Sequence, residues 1–162
     1  MKWQPLFAGA VLALALIGVA AAGQLEDASA ARQRGDYATA VSLYRPLADK
    51  GNAIAQTILG TMYAMGQSVP EDGAQALFWF RKAADQGNAT SQFSLGLMYA
   101  NGRGVPQDYE RAHMWFNLAG SRKDDTELRE HALKNRDQVA AKLTPSQIAD
   151  AQRLAREWKP AK

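Results

Sequence analysis

A few residues of this chain are of types that could do chemistry. His113 and His131 could bind a metal or transfer a proton. The adjacent acids Glu71-Asp72 and Asp124-Asp125 could act as a general acid and base. Gly102-Arg103-Gly104 is similar to a phosphate-binding loop. These are the candidates for a catalytic or ligand-binding function.

The spacing of these residues does not favour catalysis. Neither histidine has a second ligand at the spacing of an H-E-x-x-H motif, and G-x-S-x-G, S-x-x-K and Walker motifs are absent. The paired acids lie where helix starts need caps, and Gly102-Arg103-Gly104 follows a helix rather than a strand. The chain has no cysteine, which excludes disulfides, zinc fingers and thiol nucleophiles. We predict no catalytic residue, no metal and no cofactor, and therefore not an enzyme.

The elements that hold these residues repeat. The stretch from Leu59 to Asp72 recurs 36 residues later as Leu95 to Asp108. A fixed period of this length is typical of stacked helical repeats. Trp79-Phe80 and Trp115-Phe116 recur at the same period, which indicates core packing rather than a ligand site.

Each repeat is predicted to contain two helices. Helix A runs from about Ala53 to Met65 and ends at Gly66, which can adopt the left-handed conformation that stops a helix. Asp72 is a natural cap for helix B. A glycine in mid-helix, at Gly60, costs about 1 kcal/mol relative to alanine. We expect the backbone of a neighbouring helix to approach closely there, and equally at Gly96.

These residues follow the pattern A-x-x-x-L-G-x-x-Y-x-x-G-x-G-V-x-x-D-x-x-x-A-x-x-W-F-x-x-A-A-x-x-G. In this pattern the chain resembles the Sel-one-like repeat family, relatives of tetratricopeptide repeats, over about 25–124. It departs from the pattern at Ser68 and at Ser121-Arg122-Lys123. The resemblance implies an all-α fold, a short right-handed α-solenoid of antiparallel helix pairs.

The predicted organisation has one domain after a leader. It comprises a degenerate first repeat at 24–52, complete repeats at 53–88 and 89–124, and a two-helix C-terminal cap at 125–162. Asp124 and Glu127 are expected to form a capping box at the first cap helix. In the second cap helix Thr144 is the expected N-cap, and its buried side is expected to include Leu154.

Residues 1–23 have the three parts of a secretory signal peptide. Met1-Lys2 is positive, Leu6 to Val19 is apolar, and Ala20 to Gly23 are small residues suited to cleavage. The alternative is an uncleaved anchor, although the apolar run is short for a membrane span. We therefore expect a periplasmic or secreted mature chain, or alternatively an inner-membrane anchored chain facing the periplasm.

The leading function is an exported interaction module or scaffold that holds a protein or peptide on the concave face lined by helix A. Specificity should lie where the two repeats differ, which predicts partner binding by Met65, Gln67, Asn101 and Arg103. The net charge of +3 is too small to predict nucleic-acid binding. Any membrane contact would come only through residues 1–23. The alternatives are a cell-envelope enzyme or regulator of cell-wall metabolism, implied by some family members, and a membrane-tethered scaffold.

Overall fold

The computed structural model describes residues 22–67, 70–122 and 124–160. Over these residues the chain forms helices without strands, which confirms the all-α prediction. The helices are α1 (22–33), α2 (Tyr37–Asp49), α3 (Ala53–Met65), α4 (Gly73–Asp85), α5 (Ala89–Asn101), α6 (Tyr109–Gly120), α7 (Thr126–Ala140) and α8 (Pro145–Glu157).

The helix starts follow from short polar side chains in the sequence. From α2 onward, each N-cap side chain accepts a hydrogen bond from the backbone N–H three residues further on. These caps are Asp36, Asn52, Asp72, Asn88, Asp108, Asp125 and Thr144. At α8 the capping box is complete, because the Gln147 side chain also accepts from the Thr144 backbone at 2.9 Å.

The predicted cap of α7 was wrong by one residue. Asp125, rather than Asp124, accepts the hydrogen bond from the Leu128 N–H at 2.9 Å. The carboxylate of Asp124 instead binds the Arg122 guanidinium at 2.8 Å. That hydrogen bond lowers the pKa of Asp124 to about 2. The ion pair thus takes up the side chain that would otherwise cap the helix.

The close approach expected at the mid-helix glycines is made by aromatic rings, not by backbone. A Cβ atom on Gly60 would lie 2.6 Å from the Phe80 ring, and one on Gly96 would lie 2.5 Å from the Phe116 ring. Each ring belongs to the second helix of the same pair. The glycines therefore make room for the rings of Phe80 and Phe116.

The core runs through the stacked pairs α3–α4 and α5–α6 and continues to α2 and the cap. Trp79, Phe80, Trp115 and Phe116 are all buried, which confirms their packing role. The solenoid architecture with a C-terminal cap is also confirmed.

The cap helices α7 and α8 both pack against α6. Trp158 follows α8 and meets Trp115 edge to face, with 6.4 Å between ring centroids. Ala151 is fully buried, as its place on the predicted apolar side requires. Leu154 was expected on that side, but it lies on the rim of the interface and is 38% exposed.

The leader prediction for 1–23 falls almost wholly outside the described residues. Among the helices that the structure describes, none combines the length and the apolar character of a membrane span.

Candidate binding groove

A groove of about 590 Å³ lies between α3 and α5, the first helices of the two complete repeats. It is called the α3–α5 groove here. Its lining consists of Thr61, Ala64 and Met65 from α3, Ser94, Leu97, Met98 and Asn101 from α5, Gly73, Ala76 and Phe80 from α4, and Glu71, Arg103 and Gly104 from the loops.

Helical spacing explains why these side chains reach the groove. Thr61 and Met65 are four residues apart on α3, and Leu97 and Asn101 are four apart on α5, so each pair shares a helix face. The neighbouring Leu59 points into the core and is fully buried. The face that remains open is the one on which the two repeats differ in sequence.

The structure brings together three of the four residues predicted to bind a partner. Met65, Asn101 and Arg103 line the α3–α5 groove, and Met65 is 66% exposed. Gln67 does not line it. Its side chain is half-buried, and its Oε1 atom is enclosed without a hydrogen-bond partner among the described residues. Partner binding by these residues stays a prediction.

Arg103 connects the two repeats at one end of the groove. Its guanidinium donates to the Glu71 carboxylate at 2.6 Å and to the Ala64 carbonyl at 3.2 Å. Both charged side chains are mostly exposed, so the ion pair itself contributes little stability. Gly73 and Gly104 touch backbone to backbone beside it. The arginine thus forms an end wall of the groove.

Sequence reasoning missed Glu71 and the floor of the groove. Glu71 was interpreted only as an acid near a helix start, and Ala76 and Phe80 only as core. The 36-residue period could have indicated this contact, because stacking the repeats places Arg103 opposite the loop of the preceding repeat.

The other chemical candidates lie apart from one another. His113 on α6 is only 2% exposed; its burial, reinforced by the Arg136 charge, lowers its pKa. His131 lies on exposed α7, 3.9 Å from Glu127. Within the described ranges, no group of three histidine or acidic side chains could hold a metal ion. The histidines and paired acids therefore form no shared site there.

Comparison with known proteins identifies the scaffold. The family model described as "Sel1 repeat" matches residues 23–52, 53–88 and 89–124. No curated protein sequence matches the chain.

The solved structures that are similar to the chain include the following two. One is c5321, a protective antigen present in uropathogenic Escherichia coli strains and displaying an SLR fold. It is 33% identical over 85% of this chain, with a TM-score of 0.78. The chain spans only 29% of that antigen's length. The other is a Sel1 repeat protein from Oxalobacter formigenes, which is 28% identical to this chain with a TM-score of 0.60. The match covers 70% of this chain and 88% of that protein's chain.

The family model covers well over half of this chain. The E. coli antigen is more than 30% identical to it over most of this chain's length. The chain therefore belongs to the Sel1 repeat family.

Proposed function

We propose that this protein is a non-catalytic interaction module that binds a segment of a protein partner in the α3–α5 groove. Sel1 repeat proteins are generally protein–protein interaction modules. The observation that carries the proposal is the groove itself, which is open, largely apolar and lined by residues that differ between the repeats. Such concave, mostly apolar surfaces with a few polar groups are typical binding sites.

The energetics of the groove also support binding. Met65 exposes two-thirds of its surface, and Leu97 is only half-buried. Covering such side chains removes apolar surface from water, which contributes about 25 cal/mol per Å². The floor is formed by rigid core residues such as Phe80, so little conformational freedom would be lost there on binding.

The proposal includes export. The charged start, apolar run and small residues of 1–23 support removal of this segment as a signal peptide, which would place the module in the periplasm or outside the cell. N-terminal sequencing of the mature chain tests this part. A chain that begins at a residue between 20 and 25 is expected. An intact Met1 start in a membrane fraction would favour the tethered scaffold instead.

Site-specific photo-crosslinking tests the groove. A photoreactive amino acid replaces Met65 or Asn101 in the full chain, and Arg156 on the exposed side of α8 serves as the matched control. The same partner should crosslink from both groove positions and not from Arg156. Equal yields from all three positions, or none from the groove, would contradict the proposal.

A further inference from the structure

The walls of the α3–α5 groove differ from the rest of the surface in charge. Helices α3 and α5 contain no Asp, Glu, Lys, Arg or His along their whole length. The second helices of the same repeats carry such residues, for example Arg81 on α4 and Glu110 on α6. Cap helix α7 is rich in charges as well. Within the two complete repeats, the helical charges thus lie on α4 and α6 and not on the helices that flank the groove.

The charges that do border the groove neutralise each other. Arg103 and Glu71 form the 2.6 Å ion pair at its end, and the Arg103 guanidinium also serves the Ala64 carbonyl. A charged partner group entering the groove would lose water, and the opposite charge that it meets there is already engaged in this ion pair. The groove therefore disfavours acidic and basic segments alike.

The two walls offer different contacts to an uncharged segment. On α3 the groove is lined by Thr61, Ala64 and Met65, and the same helix stripe continues beyond the groove to Ile58 and Ile54. Ile54 is 56% exposed and Met65 66% exposed, although both are large and apolar. This wall presents apolar surface that water covers poorly.

The α5 wall supplies hydrogen-bonding groups without charge. The groove is lined from α5 by Ser94, Leu97, Met98 and Asn101, and Thr90 lies beyond them on the same stripe. The exposed Asn101 amide can both donate and accept a hydrogen bond, as a peptide group does. The Ser94 hydroxyl donates to the Thr90 carbonyl at 2.9 Å, which leaves its oxygen able to accept. Amide groups of a partner match this wall.

We infer that the occupant of the α3–α5 groove is an uncharged segment of a partner protein. It sets apolar side chains against α3 and amide groups against α5. This inference rests on the proposed function and adds the chemistry of the segment. It makes recognition hydrophobic and nearly independent of salt, in contrast to an electrostatically steered interaction.

The test begins with the crosslinks from Met65 and Asn101. Mass spectrometry of the crosslinked peptide should identify a partner segment without Asp, Glu, Lys or Arg beside the attachment point. A charged segment there would overturn this inference while leaving the proposed function intact. A crosslink between two copies of this chain would also overturn it. Absence of a groove-specific crosslink would remove the proposed function itself.

Binding of that segment as a capped synthetic peptide then tests the role of charge. Met65→Glu should weaken binding at least about ten-fold, because it introduces a charge that binding would bury. Met65→Gln, of similar size but neutral, should weaken binding clearly less than Met65→Glu, because it removes apolar contact without burying a charge. The position is exposed, so both variants should fold. Equal losses in both would overturn the inference.

Salt provides an independent measurement on the parent protein. Affinity for the same peptide should change less than about two-fold between about 0.05 and 0.5 M NaCl. A steep fall in affinity with salt would overturn the neutral mode of recognition.

Discussion

The complete repeats, 53–88 and 89–124, share most of their buried residues and differ mainly on their open faces. Their helix-stopping glycines have nearly the same φ, 64° at Gly66 and 66° at Gly102. In both repeats the N-cap residue of the second helix is hydrogen-bonded to the first helix. The Asp72 N–H donates to the Tyr63 carbonyl at 3.1 Å, and the Asp108 N–H donates to the Tyr99 carbonyl at 2.9 Å. The backbone geometry at the helix ends is therefore closely similar in the two repeats.

The open faces of the same helices are not copied. Ile54 is replaced by Thr90, Ile58 by Ser94, Thr61 by Leu97 and Met65 by Asn101. Positions that are exposed or only half-buried tolerate such changes more readily than fully buried ones. The comparison teaches that the shared residues set the scaffold, whereas several of the differing residues line the groove.

The buried tryptophans test the shared part most strongly. Trp79→Ala and Trp115→Ala should each lower the free energy of unfolding by about 3–5 kcal/mol, because each removes a nearly fully buried side chain. Urea unfolding of both variants provides the comparison. Losses that differ several-fold would show that the two repeats are not energetically equivalent. Exposed Thr90→Ala is the control and should cost far less.

The mid-helix glycines test the same equivalence at a smaller scale. Gly60→Val and Gly96→Val would each press side-chain atoms into the ring of Phe80 or Phe116. We expect each to destabilise by about 1–3 kcal/mol, as overpacked cores do. Thermal melting measures the effect. A melting temperature equal to that of the parent would show that the rings move aside freely.

His113 tests a position where the buried pattern itself differs, since the first repeat has Leu77 there. Burial lowers the pKa of His113 below its ordinary value of 6.5, and Arg136 lowers it further while Asp137 on α7 opposes this shift. As pH falls below 6.5, the unfolded chain binds a proton that the folded chain resists. The contribution of His113 to the free energy of unfolding is therefore fully present above pH 6.5, and it is lost as the pH falls toward the lowered pKa of His113.

His113→Leu should remove that part of the acid sensitivity and leave the remaining carboxylate effects unchanged. Urea unfolding between about pH 7.5 and 5 measures the slope for parent and variant. Exposed Thr90→Ala, which removes no titratable group, is the control and should retain the parent's slope. Identical slopes for parent and His113→Leu would refute the effect.

Most of the helix boundaries could be predicted from local sequence patterns. The range from Ala53 to Met65, the stop at Gly66 and the caps Asp72 and Thr144 were all predicted correctly, because each depends on a few adjacent residues. The cap of α7 was misplaced because Asp124, with Glu127 three residues on, matches the capping-box pattern and Asp125 does not. In the structure Arg122 engages Asp124, and Asp125 caps the helix.

The groove was harder to predict than the helices. Comparison of the repeats selected Met65, Asn101 and Arg103, which line it, but also Gln67, which does not. Sequence differences mark positions freed from packing, yet they do not show which way a loop side chain turns. Partner binding by all four remains to be measured.

The sequence alone determined the repeat length, the helix ends and the buried aromatic pairs, because these follow from periodicity, capping and hydrophobicity within one repeat. The tertiary structure decided how the helices pack, both within a repeat and between repeats. It placed Arg103 against Glu71, filled the notches at Gly60 and Gly96 with rings, and left the uncharged faces of α3 and α5 side by side around an open groove. These contacts join residues 20 to 40 positions apart, and only stacking of the helices brings them together.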